Sequence, residues 1–228
     1  MIQGTYGHGT ENDFVLIFDP NDKLEISPST CAKICNRDSG IGADGLIRIV
    51  KKSGDWFMDY RNSDGSIAEM CGNGIRVMAR YLVDRGEQSA GIFPIATRDG
   101  KKFLSVPAEG DITVNMGQIS HIESDVEVFA NGRTWPAYKV VIGNPHAVSF
   151  VDDLSEIGDL KIEPKANPDS AFPDGVNFEF VTFQPNGELA MRVHERGVGE
   201  TKSCGTGTCA VALAATLASG KKLPAKWI

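Results

Sequence analysis

The sequence predicts an α+β protein of two related halves in which sheet surrounds helix. Strand-like runs outnumber helical ones, one helical segment is apolar on every side, and Cys-Gly-x-Gly opens a helix-like segment twice, at Cys71 and at Cys204.

Runs rich in aromatic and β-branched residues mark strands at 14–18, 46–50, 56–61, 112–116, 137–142, 147–151, 176–183 and 189–194. Such side chains pack well on a pleated, half-buried surface. After Gly74, the residues Ile75, Met78, Ala79, Leu82 and Val83 recur at the spacing of one helical face, while Arg76, Arg80 and Asp84 line the other. This spacing predicts an amphipathic helix ended by Gly86. Residues 209–218 are Ala-rich and apolar all round, the pattern of a helix enclosed by protein, with Gly220 as its cap. A shorter helix is expected over 29–35, introduced by Ser27-Pro28, because Ser accepts at the N-cap and Pro suits the first turn.

Gly40-x-Gly42-x-x-Gly45 and Gly205-x-Gly207-x-x-Ala210 match the dinucleotide-binding fingerprint in letters only. The first precedes a strand rather than a helix, and the second lacks an acidic residue about 20 positions later in a βαβ unit.

A shift of 133 residues lays Met58 on Met191, Cys71 on Cys204, Gly72 on Gly205, Gly74 on Gly207 and Ala79 on Ala212; a shift of 132 lays Asn12 on Asn144. Several coincidences at nearly one offset imply an internal repeat. Domains are therefore expected at 1–118 and 119–228, joined near 117–124.

The net charge of −7 and a pI near 5.1 speak against nucleic acid as a partner, whose phosphates are tracked by clustered Lys and Arg. The first twenty residues hold no basic segment followed by an apolar one, and the apolar stretch 210–218 is too short to cross a bilayer. No membrane association, a cytoplasmic location and a small-molecule substrate are expected, with a homodimer left open as the assembly. Five cysteines, an odd number, suit a reducing compartment and free thiols. No metal is expected: there is no Cys-x-x-Cys pair, and His8, His121, His146 and His194 show no ligand spacing. No lysine motif for a pyridoxal cofactor is evident, so no cofactor is expected.

At a helix N-terminus the unpaired N–H groups and the dipole favour negative charge, which lowers a cysteine pKa from about 8.5 to about 3.5–7.5. Each Cys-Gly-x-Gly thus predicts a reactive thiol, and its glycines let backbone N–H groups approach a carboxylate or phosphate. If the halves pack face to face, one sulfur lies on each side of a carbon whose carboxylate rests between the helix ends. One thiolate then removes the α-proton and the opposite thiol delivers another to the far face, inverting the centre. Cysteine is also a small buried hydrophobe, and a single motif fits that bland reading as well. Two in matched context favour catalysis. Cys31, Cys35 and Cys209 lack the flanking glycines and read as core or surface thiols.

The blocks "ENDFVLI", "GIGADGLI", "NSDGSIAEMCGNGIR", "GNPHAVSFVDD" and "ERGVGETKSCGTGT" span nearly the whole chain, each long enough to be specific. On these residues the sequence resembles the diaminopimelate epimerase family, cofactor-independent enzymes of lysine and cell-wall precursor synthesis. The resemblance implies two pseudo-symmetric domains, each a sheet rolled around a central helix, and interconversion of LL- and meso-diaminopimelate. It implies that Cys71 and Cys204 exchange base and acid roles with the direction of reaction. Asn12, Asn62, Asn144, Asn177, Glu195 and Arg196 would hold the substrate's amino and carboxylate groups. Backbone groups of Gly72, Asn73, Gly205 and Thr206 would hold the reacting carboxylate, with His146 and Glu195 positioning the site around the thiols. The residue types suit these roles, since Arg forks a carboxylate and Asn or Glu accepts from an ammonium. For Asn62 the bland reading is a turn, because Asn62-Ser63-Asp64-Gly65 is a turn sequence.

Three features depart from the family pattern. The chain stops at Lys226-Trp227-Ile228, short of the family's usual end and where a strand is beginning, so an incomplete C-terminal domain is expected. Gly45 stands where many relatives carry Gln. "HGTENDF" replaces the more usual His-Gly-Leu-Gly before Asn-Asp-Phe, a change the loop is expected to tolerate. Proline racemase and hydroxyproline epimerase relatives share the opposed-cysteine logic, and an inactive ligand-binding relative would retain the carboxylate cradle. "GNPHAV" and Glu195-Arg196 favour the longer, doubly zwitterionic substrate.

Overall fold

A computed structural model describes residues 2–228, apart from the side chain of His121. It contains two compact units, Met1–Met116 and Gly117–Ile228.

The first unit runs β1 (Thr5–Gly9), β2 (Asn12–Phe18), α1 (Pro28–Cys35), β3 (Gly45–Lys52), β4 (Asp55–Asn62), α2 (Gly72–Asp84), β5 (Gly91–Thr97), β6 (Gly100–Val106) and β7 (Thr113–Val114). Its strands form one sheet in chain order, with β2 parallel to β3 and β4 parallel to β5. α2 packs on β1, β2 and β3 and also on β6 and β7 at the far end, so the sheet curls around the helix. The predicted stripe explains this: Ile75, Met78, Ala79 and Leu82 join Phe14, Leu16, Ile47, Ile49, Met58, Phe93, Ile95 and Leu104 in one buried cluster. β2 is apolar on both faces because alternate residues point opposite ways. Phe14 and Leu16 meet α2, whereas Val15 and Ile17 lie with Ile26, Leu46 and the α1 residues Cys31 and Cys35. Ser27 caps α1, its hydroxyl accepting from Thr30 N–H at 3.1 Å.

The second unit runs β8 (His121–Ala130), β9 (Arg133–Ile142), β10 (Asn144–Phe150), β11 (Lys165–Asn167), β12 (Asn177–Phe183), β13 (Leu189–Glu195), β14 (Gly199–Thr201) and α3 (Gly205–Ala218), with 3-10 turns at Leu154–Ile157 and Asp169–Ala171. Its sheet order is β11-β8-β9-β10-β12-β13-β14. β10 is parallel to β12, which is antiparallel to β13. The series strand, parallel strand, antiparallel strand, helix therefore occurs twice, as β2, β3, β4, α2 and as β10, β12, β13, α3. The offset that lays Met58 on Met191 joins β4 to β13, and the one that lays Cys71 on Cys204 joins α2 to α3.

Several sequence expectations are corrected. Both site helices begin earlier, at Gly72 and Gly205, because the glycines themselves take the first turn. The strand at 112–116 shrinks to Thr113–Val114, and β1, β5, β6, β8, β11 and β14 had no reading of their own. α3 is not enclosed all round. Ala210, Val211, Ala214 and Ala215 are buried, but Leu217 is 47% exposed, because β9, β10 and β12 cover one side of the helix. No strand forms at 226–228. There the Trp227 indole donates to Thr216 Oγ1 at 2.9 Å and Ile228 O accepts from Leu189 N–H at 2.8 Å.

Candidate functional site

Cys71 and Cys204 have the same local geometry. Each immediately precedes its helix in extended conformation, with φ −133° and ψ 119° for Cys71 and φ −122° and ψ 116° for Cys204. Each sulfur accepts the N–H of the second motif glycine, Gly74 at 3.5 Å and Gly207 at 3.4 Å. The thiols thus act as N-caps, and the first-turn N–H groups behind them lack intrahelical partners.

In the first unit the helix end is tied to the start of β2. Asn12 Oδ1 accepts from Cys71 Sγ at 3.6 Å and from Asn73 Nδ2 at 3.4 Å, while Asn12 Nδ2 donates to Asp44 Oδ2 at 2.7 Å. Asn73 Oδ1 accepts from Arg76 Nη2 at 2.7 Å and Thr10 Oγ1 at 3.0 Å, and Arg76 Nη1 donates to Gly72 O at 3.0 Å. Asn62 ends β4 beside Gly45 and closes its own turn: its O accepts from Gly65 N–H at 2.9 Å and its amide donates to Ser66 Oγ at 3.0 Å. The turn reading of Asn62 is therefore the observed one. Gly45 leaves no room for a longer residue, since an added Cβ would come within 2.6 Å of Tyr60 Cε2 and 2.7 Å of Arg61 O.

In the second unit Cys204 is only 5% exposed, with Thr206 Oγ1 at 3.5 Å from its sulfur. Burial first, then the Glu195 and Glu179 carboxylates, push this thiol well above its ordinary pKa, against the Thr206 hydroxyl and Gly207 N–H. This overturns the expectation of a lowered pKa at Cys204: the helix end favours a thiolate, but desolvation and two nearby acids outweigh it. His146 lies on β10 beside Asn177 of β12, and Asn144 opens β10. Asn177 Oδ1 accepts Arg196 N–H at 2.9 Å, fixing the β13 end that carries Glu195 and Arg196. The Arg196 guanidinium donates to Asp174 O, and Thr201 Oγ1 donates to Glu195. Gly205 and Thr206 form the first turn of α3.

Two residues were missed by the sequence reading. Asp44 braces Asn12, and Glu179 is wholly buried against His146, with Oε1 at 2.6 Å from Nδ1. The available signal for Glu179 was a charge at an inward position of the apolar run "VNFEFV". Ligand atoms of His146, Glu179 and Cys204 lie within 4.8 Å of one another. The His146–Glu179 contact is nevertheless a hydrogen bond, shorter than the roughly 3.3 Å that separates two ligand atoms on one tetrahedral zinc.

Comparison with solved structures defines the fold class. A hydroxyproline epimerase from Agrobacterium vitis superposes with TM-score 0.69, covering 99% of this chain and 79% of that one at 15% identity. A phenazine biosynthesis protein of the PhzF family from Bacillus anthracis gives TM-score 0.60, 92% and 79% coverage and 13% identity. At such identities the likeness is one of fold alone. The sequence comparisons are more specific. The diaminopimelate epimerase family model matches residues 4–122 and 138–226. The diaminopimelate epimerase of Streptomyces coelicolor is 50% identical over 225 residues, covering 94% of this chain and 78% of that protein. That of Acidothermus cellulolyticus is 41% identical over 242 residues, with 92% and 79% covered. The chain belongs to the diaminopimelate epimerase family.

Proposed function

We propose that this chain epimerises diaminopimelate, inverting one α-carbon between the LL and meso forms without a cofactor, and that Cys71 and Cys204 exchange the protons. The duplicated thiol carries the reading: two cysteines in one backbone conformation, each capping a helix through the N–H three residues on. Family membership supplies the substrate. One thiolate removes the α-proton and the other thiol returns a proton to the opposite face, the roles reversing with direction. The raised pKa of Cys204 suits the protonated partner.

First-turn N–H groups at Gly72, Asn73, Gly205 and Thr206 receive the reacting carboxylate and stabilise the charge that develops on it. Asn12, Asn62, Asn144, Asn177, Glu195 and Arg196 hold the remaining amino and carboxylate groups, and His146 positions the site. Bonds from Asp44 to Asn12 and from Arg196 N–H to Asn177 support this, because they hold those amides still. The reaction is assigned to the cytoplasm, in keeping with an odd number of cysteines, five.

The test is α-deuterium incorporation into LL- and meso-diaminopimelate in deuterated water. The chain should exchange with inversion, and Cys71→Ala and Cys204→Ala should each lose at least about 10³-fold in rate, as when one member of a proton-transfer unit is removed. A folded chain that exchanges neither isomer would overturn the reading.

A further inference from the structure

Glu179 has the features of a working residue. β10 and β12 pair in parallel with His146 beside Asn177 and Val148 beside Glu179. Side chains alternate along a strand, so His146, Asn177 and Glu179 project from one face of the sheet. His146 and Glu179 are both 0% exposed. A carboxyl group taken wholly out of water costs several kcal/mol unless it is bonded, and its main partner here is the imidazole, 2.6 Å away. His146 Nε2 and Glu179 Oε2 have no hydrogen-bond partner among the described residues. The Cys-Gly-x-Gly motif makes the space for this pair. A Cβ on Gly207 would fall 2.5 Å from Glu179 Oε1 and 3.3 Å from Cys204 Sγ.

We propose that Glu179 is a positioning residue: its carboxylate accepts the Nδ1 proton of His146, fixing ring and tautomer so that the Nε2 lone pair remains as an open proton acceptor in the site. The alternative, a protonated Glu179 donating to Nδ1, would leave an N–H at Nε2 buried without an acceptor, whereas the charged form leaves Oε2 unpaired beside a helix end. The N-terminus of α3 beside the carboxylate favours its charged form. Burial opposes it and pushes the Glu179 carboxyl up, with His146 pulling it down and Glu195 adding to the rise. The titratable groups facing the pair are Cys204 at the α3 cap and Glu195 on β13. The sequence comparisons name the family but assign nothing to this carboxylate, and the inference rests on the proposed function only where it concerns turnover.

The experiment is long-range ¹H–¹⁵N correlation on the whole chain labelled at histidine, with His146→Gln used to assign the signals. Near neutral pH, Nδ1 of His146 should carry the proton and Nε2 should be bare. Glu179→Gln keeps an acceptor but removes the charge, so the Nδ1-protonated tautomer should persist. Glu179→Leu should lose the single tautomer. In an active chain Glu179→Gln should lower kcat about 10–100-fold with KM within about 2-fold, the scale of a lost orienting partner. A protonated Nε2 in the unaltered chain, or a single Nδ1-protonated tautomer retained in a folded Glu179→Leu, overturns the proposal. The spectra need no turnover, so a chain inactive on diaminopimelate would remove the functional reading while the tautomer is still decided.

Discussion

Cys71 and Cys204 share a motif, a backbone conformation and a cap, yet Cys71 is half-buried whereas Cys204 is buried beside two carboxylates. Local sequence fixed the cap, and neighbours distant in sequence fixed the proton affinity of Cys204. Gly45 makes the same point through sterics. Its β3 position faces Tyr60, which packs edge-on against Phe14 at 6.0 Å, and Arg61 O, which lies in the β3–β4 ladder. Gly45→Gln should cost roughly 1–3 kcal/mol through overpacking, read as a lower urea midpoint. An unchanged midpoint would mean that Tyr60 moves aside freely.

At the scale of elements, two-residue hairpins with positive φ set three of the strand registers. Thr10-Glu11, Ser53-Gly54 and Asn131-Gly132 all take positive φ, joining β1 to β2, β3 to β4 and β8 to β9. The departure "HGTENDF" is thus accommodated by a turn with Thr10 at φ 51° and Glu11 at φ 60°, a form usually given to Asn and Gly. Gly132 has φ 76° and open space around it, so Gly132→Ala should cost about 1–2 kcal/mol from backbone strain alone. A thermal scan showing equal Tm would contradict this.

A second element-level device joins β1, β2 and the segment between α1 and β3. Asp13 accepts from Arg37 at 3.0 and 2.9 Å and from Tyr6 at 2.7 Å, while Asp44 N–H donates to it at 2.8 Å. Burial would raise the Asp13 pKa, but the Arg37, Tyr6 and Asp44 bonds outweigh it and hold the carboxyl far below its usual range. A depressed folded pKa gives stability that is present above the unfolded value of about 3.9 and is lost as pH falls through the folded one. Asp13→Asn should therefore cost about 1–3 kcal/mol at neutral pH, with the deficit shrinking steadily below about pH 4. Urea unfolding across that range checks it, and a pH-independent deficit would point to packing instead.

At the scale of the whole molecule, each unit has its own core. Leu82 and its partners lie within the first unit, and Phe180 and its partners within the second. Leu82→Ala should cost about 2–5 kcal/mol and Phe180→Ala about 3–5 kcal/mol. Hydrogen exchange should show lost protection in the altered unit and little change in the other. Equal loss in both units would mean that they unfold as one.

The sequence by itself determined the repeat, the two glycine-led helices, the central strands and the pair of cysteines. These signals are local: a helical stripe, β-branched runs, and one motif recurring at a fixed offset. It did not reveal strands such as β5 and β8, whose mixed compositions become strands only through their pairing partners. Nor did it show that Asp44 braces Asn12, or that Glu179 lies under His146 beside Cys204. Those facts depend on strand register and on helices laid over sheets, which bring residues far apart in sequence into contact. Proton affinity follows burial and neighbouring charge, so the protonation of the site was decided by the tertiary structure alone.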